Sequence, residues 1–202
     1  MNTYQLHRYL GYLLILPVTL WAFTGAFFLI KPGYKDAYEQ LQITRNPLSS
    51  ILQLSPEPEW QAVAINQTIL GSHYRVQIEN KWQHINPLNN QILPEPRAQS
   101  IISLLQDAVK HNPQRYGLVL NYKDGIAFTD SGVKLIFDWS HLSLRQQGLD
   151  SRIFNTMYDI HYLRWTGNKT FDQWFGYVGL GLLVLMALTG IVMIKKSSTT
   201  IK

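Results

Sequence analysis

Gly11-Tyr-Leu-Leu-Ile-Leu-Pro-Val-Thr-Leu-Trp-Ala-Phe-Thr-Gly-Ala-Phe-Phe-Leu-Ile-Lys31 and Gly176-Tyr-Val-Gly-Leu-Gly-Leu-Leu-Val-Leu-Met-Ala-Leu-Thr-Gly-Ile-Val-Met-Ile-Lys-Lys196 stand near opposite ends of the chain. At a constant offset of 165, Gly11, Tyr12, Leu20, Ala22, Thr24, Gly25 and Lys31 meet Gly176, Tyr177, Leu185, Ala187, Thr189, Gly190 and Lys196. No charge falls within residues 10–30 or 175–194. Each run is about 20 residues, the length a helix needs to cross a hydrocarbon core of roughly 30 Å. The expected spans are 10–31 and 174–194. The first is too long for a signal-peptide core and is followed by no clean small-x-small cleavage site, so it reads as an uncleaved anchor.

The 202 residues carry a net charge of +5 that forms no long basic block, and there is no cysteine. The first fact argues against nucleic acid. The second excludes disulfides, thiolate metal sites, iron–sulfur clusters and thiol catalysis. Arg8 in the tail 1–9, and Lys195, Lys196 and Lys202 in the tail 195–202, favour two cytoplasmic ends. Lys31 and Lys35, at the far end of the first span, pull the other way. The stretch 32–150 is then expected outside, in the periplasm of a bacterium. Trp21, Trp174, Tyr177, Tyr12 and Tyr34 are candidate interfacial anchors.

Pro32-Gly33 ends the first helix. A short helix over 34–41 and a Pro- and Ser-rich loop over 45–59 follow. Residues 59–70 read as a weak helix. Residues 73–79 alternate Tyr74, Val76, Ile78 against Arg75, Gln77, Glu79, a half-buried strand. A turn at Asn80-Lys81 leads into a second strand over 82–85. After a turn at 86–90, residues 91–93 make a third short strand. Ile101, Leu104, Leu105 and Ala108 predict an amphipathic helix over 98–111. Lys123-Asp124-Gly125 joins strands over 116–122 and 126–129, and 133–138 adds another. The fold class is thus an α+β membrane protein, two transmembrane helices flanking an α+β domain in up to two lobes of helix and antiparallel strands. Residues 151–167, with Phe154, Met157, Tyr158, His161 and Trp165 on one stripe and Arg152 and Arg164 at its edge, read as an interfacial amphipathic helix.

His7-Arg8-Tyr9-Leu10-Gly11…Thr24-Gly25 resembles the opening of the PepSY-associated transmembrane family. Ile160-His161-Tyr162-Leu163-Arg164-Trp165…Gly176…Leu188-Thr189-Gly190 resembles its later span. Between them, Tyr74-Arg75-Val76-Gln77-Ile78 and His84-Ile85-Asn86-Pro87-Leu88-Asn89-Asn90-Gln91-Ile92-Leu93 resemble a PepSY half-domain, with Asn86 and Asn90 where that pattern carries Asp and Gly. Asn tolerates the left-handed conformation, so the turn is kept. The resemblance implies a short, two-span form of the family. Larger relatives are inner-membrane proteins linked to iron–siderophore reduction, and some hold b-type haem between histidines.

His7 and His161 are therefore the candidate haem-iron ligands, with Arg8 and Arg164 as partners for the haem propionates. Gly11, one turn after His7, would leave room for a flat ring. The alternative reading makes both histidines interfacial residues bonded to headgroups, water or carbonyls. If both tails are inside, the histidines lie at opposite faces, roughly 30 Å apart. A haem shared between imidazoles then requires a homodimer or a larger membrane complex in the lipid bilayer. Gly11, Thr24, Gly25, Gly176, Thr189 and Gly190 read first as helix-packing residues. His73, His84, His111 and His141 are scattered without ligand spacing, and Asp124, Asp130 and Asp138 read as turn residues. No Rossmann, Walker or nucleophile-elbow signature is present, so no complete reductase is expected. Two functions follow: haem-mediated electron transfer in iron uptake or periplasmic reduction, or a non-redox accessory protein whose α+β domain binds a periplasmic protein or membrane complex.

Overall fold

A computed structural model describes residues 2–49 and 54–199. Met1, residues 50–53 and residues 200–202 lie outside the described residues, and with them parts of the expected tails 1–9 and 195–202 and of the expected loop 45–59. In chain order the elements are α1 (Thr3–Ile30), α2 (Tyr34–Ala37), β1 (Ala62–Thr68), β2 (Gly71–Ile78), β3 (Lys81–Ile85), α3 (Ala98–Val109), α4 (Pro113–Tyr116), β4 (Val119–Lys123), β5 (Ile126–Thr129), β6 (Lys134–Asp138), β7 (Ser143–Gln147), α5 (Leu149–His161) and α6 (Lys169–Thr199). Two apolar helices at either end thus flank an α+β region. The chain divides into two compact units, Met1–Tyr34 with Arg152–Lys202, and Lys35–Ser151.

In the first unit, α1 opens on a capping box. Asn2 Oδ1 accepts from the Gln5 amide at 2.8 Å, and Gln5 Oε1 accepts from the Asn2 amide at 3.1 Å. It closes at Lys31, whose left-handed backbone (φ 49°) lets its N–H reach Phe27 O at 2.8 Å before Pro32 blocks continuation. Both α1 and α6 are long and apolar enough to cross a membrane, and their side chains are largely left outward. α1 and α6 lie side by side and antiparallel, since the start of α1 meets the end of α6 through His7 and Thr189. α5 stops at His161, earlier than the stripe suggested, as Leu163 turns left-handed (φ 55°). Its apolar stripe is spent on α1: Phe154 is buried against Phe27 and Tyr34, and Tyr158 stacks on Phe28 at 4.4 Å. Trp165 lies beyond the helix, half exposed against Phe175.

The second unit holds two antiparallel sheets, β1-β2-β3 and β4-β5-β6-β7. α3 turns Ile101, Leu104, Leu105, Ala108 and Val109 into a core with Ala127, Leu135, Phe137 and Leu144 of the larger sheet. The smaller sheet buries Tyr74, Val76 and Ile85 with Leu54, Trp60, Ile65 and Ile78. Residues 59–70 form a strand rather than a weak helix: β1 pairs with β2 along its whole length, from Ala62 with Gln77 to Thr68 with Gly71. Pairing of that extent outweighs a marginal local helix preference. Residues 91–93 make only a single bridge, Ile85 with Ile92. Residues 113–116 are a helical turn, so the strand expected from 116 starts at Val119. Edge strand β7 carries one buried apolar residue, Leu144, between polar neighbours, which left no alternation to read. Asp124 adopts φ 50° in the β4–β5 turn, Asp130 Oδ1 accepts from the Leu118 amide at 2.9 Å, and Asp138 accepts from His141.

Candidate functional site

The two outer helices each present Thr-Gly to a histidine from elsewhere in the chain. His161, the last residue of α5, lies against Thr24-Gly25 of α1. Its Nδ1 is 2.8 Å from Thr24 Oγ1, and its Cε1 would lie 3.9 Å from a Cβ at Gly25. His7, in the second turn of α1, lies against Thr189-Gly190 of α6. Its Nδ1 is 2.9 Å from Thr189 Oγ1, and its Cε1 would lie 3.4 Å from a Cβ at Gly190. Each ring edge thus stands over its glycine at a distance where a Cβ would make ordinary contact, more closely at Gly190 than at Gly25.

The threonines fix the imidazole tautomer. A hydroxyl has one proton. Thr24 Oγ1 is placed to donate it to Leu20 O at 2.9 Å or Trp21 O at 3.0 Å, and Thr189 Oγ1 to Met186 O at 2.8 Å. With that proton on the main chain, each oxygen accepts from the histidine Nδ1–H. The lone pair is then on Nε2, which has no hydrogen-bond partner among the described residues at either histidine. An imidazole with its Nδ1–H held by an oxygen and Nε2 unspent is the form that binds iron.

The surroundings of His161 are aromatic and hollow. Trp21 stacks on its ring at 5.4 Å with planes 14° apart, and Phe28 meets it edge-on at 5.3 Å. A cavity of about 1190 Å³ opens beside it, walled by Leu14, Pro17, Val18 and Trp21 of α1 and by Gly176, Gly179, Leu180 and Leu183 of α6. Arg164 and Lys169 also line it. Asp159 and Asp172 stand on the same wall, so the hollow combines an apolar lining and one imidazole with two cations and two carboxylates. The imidazole, the apolar wall and the two cations are features a haem would use, and the two carboxylates are not. Arg8 lies next to His7 in sequence, with its guanidinium over the Tyr9 ring at 5.8 Å, while Arg164 covers Tyr162 at 5.3 Å.

The structure does not bring His7 and His161 together. Thr24 stands 17 residues beyond His7 on α1, about 25 Å along the helix axis. A Cβ at Gly11 or Gly176 would meet nothing within 4 Å, so neither glycine packs one helix on the other within the chain. Nor does the repeat account for the histidines. The position 165 beyond His7 is Asp172, whose Oδ1 accepts from the Thr166 amide and hydroxyl. The repeated element is the Thr-Gly receptor, and each copy serves a histidine from outside itself.

The second unit contains an arrangement the sequence did not announce. His73 and His84, separated by 10 residues, sit with ring centroids 5.5 Å apart beside Trp139. The His84 ring stacks on Trp139 at 3.9 Å. His73 is 7% exposed and His84 3%. Burial holds both imidazoles below their ordinary value, with Arg75 adding to it, and His73 is also opposed by His84 and brought to about 4. His111 instead bridges Ala108 O and Glu39. Burial alone would raise the Glu39 carboxyl, but bonds from Tyr116 and His111 bring it below its usual value. Among the described residues no group of three or more His, Cys, Asp or Glu is placed to hold a metal ion.

Antiparallel apolar helices bearing matched histidine receptors around an α+β insert define a membrane protein with two separate imidazole sites. The chain belongs to the PepSY-associated TM region family, whose model matches residues 4–201. No curated protein and no solved structure matches it.

Proposed function

We propose that the chain binds b-type haem at His7 and at His161 and carries electrons at or across a bacterial inner membrane, in iron uptake or reduction of a periplasmic acceptor. The observation that carries this reading is the matched pair of Nδ1–H to threonine bonds, each leaving Nε2 as a free ligand. A bound haem would supply one-electron redox chemistry. The chain's own residues orient the imidazoles, surround the His161 site with apolar wall and place Arg164 and Lys169 for carboxylates.

The antiparallel helices put the start of α1 and the end of α6 on one side, and the charges of Arg8 and Lys195 favour the cytoplasm for that side. At each level the chain supplies one imidazole. Two copies in the same orientation would bring two His7 rings to one level and two His161 rings to the other, so a homodimer supplies paired ligands. The test is a reduced-minus-oxidised spectrum of the detergent-purified protein from haem-supplied cells. A Soret change with reduced α and β bands is expected, and its absence from a folded sample overturns the reading.

The accessory role keeps one specific observation. β4 is an edge strand with Leu118 and Leu120 exposed beside it, a surface suited to pairing with a strand of another protein. Recovery of a stable protein partner from membranes with a haem-free chain would favour it.

A further inference from the structure

We propose that His73, Arg75 and His84 form an acid-sensitive latch between the two sheets of the second unit, closed while both imidazoles are neutral and released when they gain protons. Arg75 stands opposite His84 on the paired strands β2 and β3, and His73 lies two residues before Arg75, so the three share one face. All three are buried, and together they grip the turn that follows β6. His84 Nε2–H donates to Trp139 O at 2.8 Å, and the two rings stack at 3.9 Å. Arg75 donates from Nη1 to Ser140 O at 3.1 Å, and His73 meets Trp139 edge-on at 5.4 Å.

The sheets have separate apolar cores, one shared with α3 and one around Tyr74, Val76 and Ile85. Leu70 reaches across to the first, and the segment 42–46 bridges Ser143 of the larger sheet and Gln67 of the smaller. Release at the latch therefore breaks neither core and leaves the sheets tethered. A cavity of about 450 Å³ lies at this junction, lined by Ser72, His73 and His84 on one side and Trp139 on the other. Release of the turn opens it.

The closed latch requires neutral rings. The Thr68 hydroxyl accepts from the Leu70 amide at 3.1 Å and donates to His73 Nε2 at 2.7 Å, which leaves that ring's proton on Nδ1. A second proton falls on Nε2, turns the acceptor into a donor and removes the bond from Thr68. At His84 the second proton falls on Nδ1 and sets a charge beside Arg75. Three cations then crowd one buried face. The groups around them do not offset this. Arg45 opposes Arg75, and Arg97 stands on the cavity wall. Asp138 attracts Arg75 but is engaged by His141, and Glu95 on the wall is bonded to the Tyr122 hydroxyl. Tyr74 completes the titratable groups on the wall.

Burial first, and the neighbouring charges after it, hold both imidazoles below their ordinary value, His73 at about 4. An open latch frees the rings to take up protons near 6.5, so the closed form is favoured above that pH and loses its advantage as pH falls toward 4. For His73 alone the balance between closed and open shifts by up to about 70-fold from about pH 7.5 to about pH 4.5.

The chain has no cysteine, so two introduced thiols carry all of a spin label. The test is the label-to-label distance between Lys81→Cys on β3 and Arg145→Cys on β7, both exposed positions, in the full chain in detergent at those two pH values. The distance should lengthen in acid and return on neutralisation. A second pair within the larger sheet, Lys123→Cys with Arg145→Cys, should keep its distance. With His73→Gln and His84→Gln together, the first distance should be the same at both pH values. The first measurement needs no change at the histidines and stands if that double variant fails to fold. No lengthening with both histidines present overturns the proposal. Lengthening that persists in the folded double variant, or that extends to the pair within the larger sheet, overturns it too. Every position belongs to the second unit, so no outcome depends on haem.

Discussion

The two histidine–threonine–glycine sites share their chemistry and differ in their walls. At Thr24 the histidine arrives on a separate helix, is flanked by Trp21 and Phe28 and faces a large cavity. At Thr189 the histidine belongs to the first span itself and lies closer to its glycine, 3.4 Å from where a Cβ at Gly190 would stand against 3.9 Å at Gly25. The difference teaches that the hydrogen bond, rather than the packing, is the common element. A Thr-Gly step on an apolar helix offers an oxygen beside a small residue, and any helix that brings an imidazole to it completes the same unit.

The sharpest contrast between the sites is steric. Gly190→Val should displace His7 and cost about 1–3 kcal/mol of stability through overpacking. Gly25→Val, whose Cβ stands 3.9 Å from its imidazole rather than 3.4 Å, should cost less, about 0.5–1.5 kcal/mol. Thermal melting in detergent checks both, and equal effects would break the distinction.

A second contrast sets the membrane histidines against His73 and His84. The folded unit holds His73 near 4 against an ordinary 6.5, so the unfolded chain binds more protons below pH 6.5. The contribution is present above pH 6.5 and is lost as pH falls toward 4. His73 alone should remove about 2 kcal/mol between pH 7 and pH 5. Denaturant unfolding at the two pH values measures this, and His73→Gln should flatten the dependence.

Next come the hydroxyls. Thr24→Val and Thr189→Val keep shape and remove the oxygen that holds Nδ1–H. Each should cost about 0.5–1.5 kcal/mol and, if haem is bound, shift the affinity of its own level by about 10–100-fold. Haem titration of the two variants reads this, and a shift at the wrong level would contradict the pairing. The smallest effect is expected at Gly11→Ala, which fills open space and should leave melting and haem content unchanged within about 0.5 kcal/mol.

Much of this was legible because it rests on periodicity and charge. Two uncharged runs gave the outer helices, and alternation at Tyr74, Val76 and Ile78 gave β2. Antiparallel spans also put His7 near Thr189 and His161 near Thr24, but nothing in the pattern said they bond. The His73–His84 pair was hidden by a small register error. A turn at Asn80-Lys81 would set Gln77 opposite His84. The actual turn, at Glu79 and Asn80 with φ 48° and 63°, sets Arg75 there and gathers three basic side chains on one face. Trp139, 55 residues beyond His84, reaches them only through the folded second sheet. β1 was lost because Asn66 and Gln67 interrupt its apolar pattern, and β7 because Leu144 stands alone.

The central claim is that each Thr-Gly step readies one imidazole for haem, at two separate levels. Haem per chain, measured in the unaltered protein and in His7→Ala and His161→Ala, tests it most directly. About half of the haem should be lost in each variant, with the other level intact in the reduced spectrum. A full complement in either variant, or complete loss in one of them from a folded protein, would contradict the account.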